Sequence, residues 1–145
     1  METLGDLTDR ISIANIRYLK LKEENHSQEK IDMVAKQINA LSVAITEHLY
    51  MAKNGNIELE APKVKIYHHE EASGATASSL GEAMMQLTEA NLKLWNLEDF
   101  RRDKTNSDEE RLKACDEVSV WNRKRNDCMD LINNILTTTL ENKDI

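Results

Sequence analysis

Two stretches of the chain concentrate residue types that can bind a small molecule. The first is residues 91–103, NLKLWNLEDFRRD, and the second is residues 122–127, NRKRND. They hold a tryptophan that can stack on a flat ring, arginines that can bind an anion, and amide and carboxylate groups that can orient a ligand. We therefore predict that the functional site lies in these two stretches.

Seven residues of these stretches form the candidate ligand-binding site. Four of them recur at spacings of four, three and four, which places them on one stripe of a helix. Arg125 occupies a core-facing position of the next predicted helix, where a guanidinium is disfavoured unless it is paired and hydrogen-bonded. We expect Glu98 or Asp99 to be its partner. The seven residues are Asn91, Trp95, Glu98, Asp99, Arg102, Asn122 and Arg125.

Four of these residues also have a structural interpretation, as a buried network that fixes helix register: Trp95, Glu98, Asn122 and Arg125. We predict no catalytic residue, because the sequence has no nucleophile-elbow, phosphate-loop or zinc-finger motif. Residues 68–71, HHEE, could bind a metal ion, but adjacent histidines in a charged loop are more typical of a solvated segment. We therefore predict neither a metal nor a cofactor.

The composition is that of an all-α protein. The 145 residues include one proline and four glycines, and proteins built of strands and turns contain more of both. A chain of this length forms about one domain and buries most of its apolar surface without disulfides or metals. We therefore expect a single helical domain over residues 1–145.

Charge and hydropathy argue against several classes of partner. The formal net charge of -7 argues against nucleic acid. No apolar run reaches the roughly 18 residues that a membrane span needs, and the first residues are neither basic nor apolar enough for a signal peptide. Cys115 and Cys128 lie thirteen residues apart on one predicted helix, too far apart for a disulfide. These features predict a cytoplasmic protein with free thiols that binds neither nucleic acid nor a membrane.

Four segments carry apolar residues at alternating steps of three and four, the pattern of core-facing helices. Capping signals mark their ends: a polar cap opens the second helix, an Asn-Gly pair closes it, and Ser-x-x-Glu capping boxes open the third and fourth. We predict the first helix over about residues 3–24. The second helix begins at Ser27 and ends at Asn54 with Gly55. The third begins at Ser79 with Glu82, and the fourth begins at Ser107 with Glu110.

The two halves of the chain align with each other. Residues 4–23 match residues 80–99 without a gap at an offset of 76, and Leu4, Gly5, Ala14, Asn15 and Leu21 have identical counterparts. We therefore predict an antiparallel four-helix bundle that arose from a duplicated helical hairpin. Its first repeat covers about residues 3–53, its connecting loop residues 54–77, and its second repeat about residues 78–141.

The second repeat is the more polar of the two. With a short insertion, the second helix aligns with the fourth, so that Ile45 stands opposite Arg125. A difference between repeats indicates a position at which one half has been specialised, and these differences fall in the candidate site. Trp95, Glu98, Asn122 and Arg125 correspond to Leu19, Lys22, Ser42 and Ile45.

Residues 94–103, LWNLEDFRRD, are followed on the next predicted helix by Asp116, Asn122, Arg125 and Asp127. This pattern resembles a bacterial family of uncharacterised small helical proteins that carry W-H-L-E-D with a following R-D, and then N-Q-x-R-x-D. The resemblance covers about residues 89–135 and implies a helical fold and a shared polar cluster, but no activity. Asn96 stands where the family has histidine, so a role that needs an imidazole does not carry over. The repeated L-G-D-L and A-N-x-x-x-W arrangement also resembles small phage-encoded proteins.

We favour a non-catalytic binding module as the function. In this hypothesis Arg102 and Arg125 hold an anionic small molecule that resembles a nucleotide, and Trp95 stacks on its flat ring. A structural or adaptor protein that acts through a helical surface, as a homo-oligomer, is an alternative.

A second alternative is an enzyme, an all-helical metal-dependent nucleotide pyrophosphohydrolase. Such enzymes bind metal through carboxylates on bundle helices and resemble E-x-x-E followed later by E-x-x-D. The acidic residues near the candidate site, Glu98, Asp99, Asp103 and Asp116, do not reproduce that spacing. The sequence therefore favours a protein that is not an enzyme.

Overall fold

The fold is all-α, as predicted. The computed structural model of the chain describes residues 2–59 and 77–141, and no described residue lies in a β-strand. The helices are α1 (Leu4–Glu23), α2 (Gln28–Lys53), α3 (Leu80–Arg102) and α4 (Asp108–Glu141).

The helices begin and end at local hydrogen-bonding signals. Ser27 caps α2 by accepting a hydrogen bond from the Lys30 amide, and Gly55 follows the end of α2 with a φ of 71°, a conformation that favours glycine. Both boundaries were predicted. The capping box of α1 was not predicted. In it, Thr3 and Asp6 each accept a hydrogen bond from the other's backbone amide, at 3.1 Å and 2.9 Å.

The helix contacts are those of a four-helix bundle. Helix α1 packs against α2, α3 and α4, and the most extensive contact joins α3 to α4. Helix α2 makes its contacts chiefly with α1. The four-helix bundle is therefore confirmed, whereas the antiparallel order and the origin by duplication stay predictions.

The main hydrophobic cluster unites all four helices. It joins the beginnings of α1 and α3 to the ends of α2 and α4, while a smaller cluster of Leu7, Ala14 and Leu41 joins α1 to α2. Ile45 packs against both clusters. The buried members of the main cluster are Leu4, Ala52, Ala83, Leu87, Cys128, Ile132 and Leu136.

A glycine lets α4 approach the first turn of α1 closely. A Cβ atom added at Gly5 would lie 2.5 Å from the carbonyl oxygen of Met129, and the Gly5 amide donates a hydrogen bond of 2.8 Å to the Asn133 side chain. A larger residue at this position would push the two helices apart. This contact fixes α4 against α1 and so helps to position the site described below.

Two further predictions concern the connection and the cysteines. Residues 60–76, which include the histidine pair of the connecting loop, lie outside the described residues, while Ile57 and Leu59 pack against the main cluster. Cys115 and Cys128 are free, as predicted. Among the helices described, none combines the length and the hydropathy that crossing a membrane requires.

Candidate ligand-binding groove

All seven residues predicted for the site line one groove. It runs between α3 and α4 beside α1, and its volume is about 300 Å³. Its apolar wall comes from Ile13 of α1, Leu94 of α3 and Val118 of α4, together with the half-buried Trp95 ring. The helical spacing that suggested a shared stripe thus brings these side chains to a single concave surface.

Arg125 is paired with Asp9 of α1. Its Nε donates to Oδ1 of Asp9 at 2.9 Å, and its Nη2 donates to Oδ2 at 2.6 Å. The Asp9 side chain is 6% exposed and that of Arg125 is 31% exposed. The hydrogen bond to Asp9 raises the pKa of Arg125 above its usual value. The prediction that Glu98 or Asp99 would pair with Arg125 is therefore wrong, because α1 supplies a nearer and more deeply buried carboxylate.

Asn91 extends this network into the bundle. Its buried amide group donates to Oδ1 of Asp9 at 3.0 Å and to Oγ of Ser12 at 3.2 Å. Oγ of Ser12 in turn lies 3.5 Å from Oγ1 of Thr88. The Asp9 carboxylate thus accepts three hydrogen bonds, two from Arg125 and one from Asn91, which satisfies a charge that would be costly to bury alone.

Glu98 is paired with arginines of its own helix. Its Oε2 accepts a hydrogen bond of 2.7 Å from Nη2 of Arg101 and lies 3.8 Å from Nη2 of Arg102. The bond to Glu98, and after it one to Cys115, raises the pKa of Arg101. The Arg102 side chain is 74% exposed and marks the open rim of the groove.

Several groups in the groove keep free hydrogen-bonding or stacking capacity. Among the described residues, no hydrogen-bond partner contacts Nη1 of Arg125 or the side-chain amide of Asn122. The Trp95 ring belongs to the groove wall. A bound molecule could therefore meet the remaining N–H groups of a fixed guanidinium, one amide that both donates and accepts, and one aromatic ring.

Sequence reasoning missed the contribution of α1. Gly5, Asp9, Ser12 and Ile16 recur at spacings of four, three and four, and all four are buried. This second stripe was readable in the sequence, but a glycine, an acid and a serine do not form an apolar pattern. The burial of the face of α1 that carries Gly5, Asp9 and Ser12 was therefore not predicted.

A second groove, of about 430 Å³, lies between the same two helices and shares no residue with the first. It includes Asn96, the position at which the resembling family has histidine. The Trp121 ring is half-buried, with the ammonium groups of Lys93 and Lys124 at 5.9 Å and 4.9 Å from its centre. The two tryptophans of the chain therefore have different surroundings.

The carboxylates considered for a metal-dependent hydrolase are spread over different places. Glu98 and Asp99 line the groove, whereas Asp103 accepts hydrogen bonds from the backbone and side chain of Thr105 at 2.9 Å and 2.7 Å. Asp116 does not line the groove. Within residues 2–59 and 77–141, no three His, Cys, Asp or Glu side chains are grouped so that they could hold a metal ion.

Comparisons of the chain with protein-family models, with curated proteins and with solved structures found no match. The resemblance to the uncharacterised bacterial family and to phage-encoded proteins therefore stays a prediction.

Proposed function

We propose that the groove between α3 and α4 binds a small molecule with a flat ring and does not transform it. The observation that carries this proposal is the meeting of seven polar and aromatic residues, chosen from the sequence alone, on one concave surface of about 300 Å³. Ligand sites are typically concave and mostly apolar, with a few polar groups that fix orientation. This groove has that composition.

Preorganisation of Arg125 supports binding. Two hydrogen bonds to a nearly buried carboxylate hold the guanidinium in one orientation before any ligand arrives. A ligand that uses the remaining edge of Arg125 therefore does not have to immobilise a long side chain, which otherwise costs about 0.5–1.5 kcal/mol. Asn91 belongs to the supporting network, because its amide is already engaged by Asp9 and Ser12.

The size of the groove limits the ligand. About 300 Å³ is at the lower end of the range of roughly 300–1,000 Å³ for small-molecule sites. A single ring system with a small substituent would fill it, with one face on Trp95 and its polar edge towards Asn122. A nucleotide-like molecule has such a ring, and a stacked aromatic pair adds about 0.5–1.5 kcal/mol beyond the area it buries.

A thermal-shift screen tests the proposal. The purified protein is screened against nucleobases, nucleosides, nucleotides, cyclic dinucleotides and sugar nucleotides, with and without magnesium, and the bound compound is recovered and analysed. A ligand at a hundred times its Kd stabilises the protein by about 2.7 kcal/mol. We expect one class to stabilise the protein and to be recovered intact. Recovery of a cleaved compound only in the presence of magnesium would favour the hydrolase, and a screen without any shift would contradict binding.

The two tryptophans provide a matched control for this screen. Trp95→Leu introduces the residue found at the corresponding position of the first half, Leu19, and should abolish the ligand-induced shift. Trp121→Leu removes a tryptophan that does not line the groove and should preserve the shift. Equal loss in both variants would show that the shift does not report stacking on Trp95.

One observation favours a second candidate function, a homo-oligomeric adaptor. Helix α2 packs chiefly on α1, and Met33, Val43 and Tyr50 along α2 are exposed. Val43 and Tyr50 are seven residues apart and so lie on one face of α2, and a contiguous exposed apolar patch often marks a protein interface. Sedimentation of the wild type and of a Val43→Asp, Tyr50→Asp variant tests this candidate: a dimer that dissociates in the variant supports it, and a wild-type monomer excludes self-association.

A further inference from the structure

We infer that the groove selects a ligand with little or no charge, of the size of a nucleobase or nucleoside, over a nucleotide that carries a polyphosphate. This inference rests on the proposed function, because it specifies the chemical class that the same groove binds. It differs from the sequence-based expectation of an anionic ligand, and the charges around the groove are the reason.

The guanidinium groups at the groove are matched by carboxylates. Arg125 is paired with Asp9 at 2.6 Å, and Glu98 lies 2.7 Å from Arg101 and 3.8 Å from Arg102. Asp99, which also lines the groove, adds a third carboxylate. Three positive groups therefore stand against three negative ones, and no surplus positive charge remains for a ligand.

A polyphosphate needs such a surplus. Proteins bind phosphate groups through arginine or lysine that is free to form charge-assisted hydrogen bonds, or through the amide groups at a helix N-terminus. In this groove the Nε and Nη2 groups of Arg125 already donate to Asp9, so the charge of the guanidinium is offset by a carboxylate that the fold holds in place. A phosphate on the remaining N–H groups of Arg125 would lie close to that carboxylate, and the two negative charges would repel each other.

The helix ends reinforce this selection. Asp99 and Arg102 belong to the last turn of α3, where the backbone carbonyls give the helix a partial negative charge. The first turn of α4 carries three acidic residues, Asp108, Glu109 and Glu110, at the end that would otherwise attract an anion. Neither the end of α3 nor the beginning of α4 therefore offers a site for phosphate.

The groups that remain are suited to an uncharged ring. The Asn122 amide can donate and accept at once, as the edge of a nucleobase does, and Trp95 can cover the face of the ring. The two N–H groups on Nη1 of Arg125 can donate to a ring carbonyl oxygen or a ring nitrogen. Such a ligand requires no further neutralisation of charge.

The test is a titration series in which only the number of phosphates changes. Adenine, adenosine, AMP, ADP and ATP, and the corresponding guanine compounds, are titrated calorimetrically at constant ionic strength without magnesium. We expect the nucleobase or nucleoside of one series to bind, and the triphosphate of that series to bind at least tenfold more weakly. Affinity that rises with each phosphate would overturn this inference while leaving the proposed function intact. Absence of binding throughout both series would contradict the proposed function for this class of ligand, and the inference with it.

A charge variant tests the cause of the selection. Asp99 is exposed, so Asp99→Asn removes one negative charge from the groove without disturbing the core. We expect ATP to gain at least threefold in affinity relative to adenosine, whereas Asp116→Asn, an exposed position outside the groove, should leave the ratio unchanged. An unchanged ratio in Asp99→Asn, or an equal change in both variants, would overturn selection by the charge of the groove.

Discussion

Gly5 and Gly81 occupy matching positions in the two halves of the chain but have different neighbours. A Cβ atom at Gly5 would lie 2.5 Å from the backbone of α4, whereas one at Gly81 would meet no atom within 4 Å. The difference follows from the packing, because α4 lies against α1 while α2 makes at most marginal contact with α3. If the halves are repeats, as the sequence predicts, the contacts of α1 with α4 and of α3 with α2 are equivalent, and only the first of them is extensive.

Other matched positions of the two halves also differ in their surroundings. Ile45 packs against both hydrophobic clusters, while Arg125, at the corresponding position of α4, pairs with Asp9. Asp9 is buried, and its counterpart Met85 is 59% exposed. At each of these matched positions one residue belongs to the polar network and its counterpart does not, and that network supports the groove. Substitutions at matched positions of the two halves test this contrast.

Arg125→Leu should produce the largest loss of stability. It leaves the Asp9 carboxylate buried without its charged partner, which typically costs about 3–5 kcal/mol. The free energy of unfolding in urea measures this loss. Replacing both residues, Asp9→Leu with Arg125→Leu, removes the orphaned charge and should recover much of the stability. A loss below about 0.5 kcal/mol, the range of neutral surface substitutions, would show that the pair does not stabilise the fold.

Asn91→Leu should produce the next largest loss. It removes the amide that donates to Asp9 and Ser12, and a hydrogen bond to a charged group contributes about 1.5–3 kcal/mol. The control is Asn15→Leu, at the corresponding but exposed position of α1, where we expect a change within about 0.5 kcal/mol. Urea unfolding of both variants measures the difference. Equal losses of unfolding free energy in the two variants would mean that Asn91 and Asn15 contribute equally to stability.

Substitution of the paired glycines should change stability in opposite directions. Gly5→Ala forces its methyl group against the carbonyl of Met129 and should destabilise the protein by about 1–3 kcal/mol. Gly81→Ala meets open space inside a helix and should stabilise the protein by about 0.5–1 kcal/mol. Thermal unfolding of the two variants gives the sign of each effect. Stabilisation in both variants would show that α4 can move away from α1 at little cost.

The smallest effect concerns acid stability. Burial lowers the pKa of His48 below its usual value of 6.5, so the unfolded chain binds a proton more readily than the folded one. The contribution of His48 to stability is complete above pH 6.5 and is lost as the pH falls below it. Cys128, at the matching position of α4, is also buried, but burial raises its pKa, so it stays neutral over this range. The urea midpoint should be lower at pH 5.5 than at pH 7.5, and His48→Leu should reduce that difference.

The helix boundaries and the residues that line the groove were predictable because each depends on residues that lie close together in the sequence. Apolar spacing and the caps at Ser27 and Ser79 predicted the helices, and spacings on α3 and α4 predicted the seven groove residues. The partner of Arg125 was not predictable in this way. Periodicity identifies which face of a helix is buried, but not which of three other helices covers it, and Asp9 lies outside the apolar stripe of α1.

The bond between Arg125 and Asp9 joins residues 116 positions apart in the chain. Contacts between residues so distant in sequence form late, because a long segment must first be closed into a loop. During synthesis, a chain that has emerged only as far as the end of α3 has the Asp9 carboxylate but not the Arg125 guanidinium that pairs with it. The polar network around Asp9 is therefore complete only after α4 has been made, and a truncated product that lacks α4 cannot form the groove between α3 and α4.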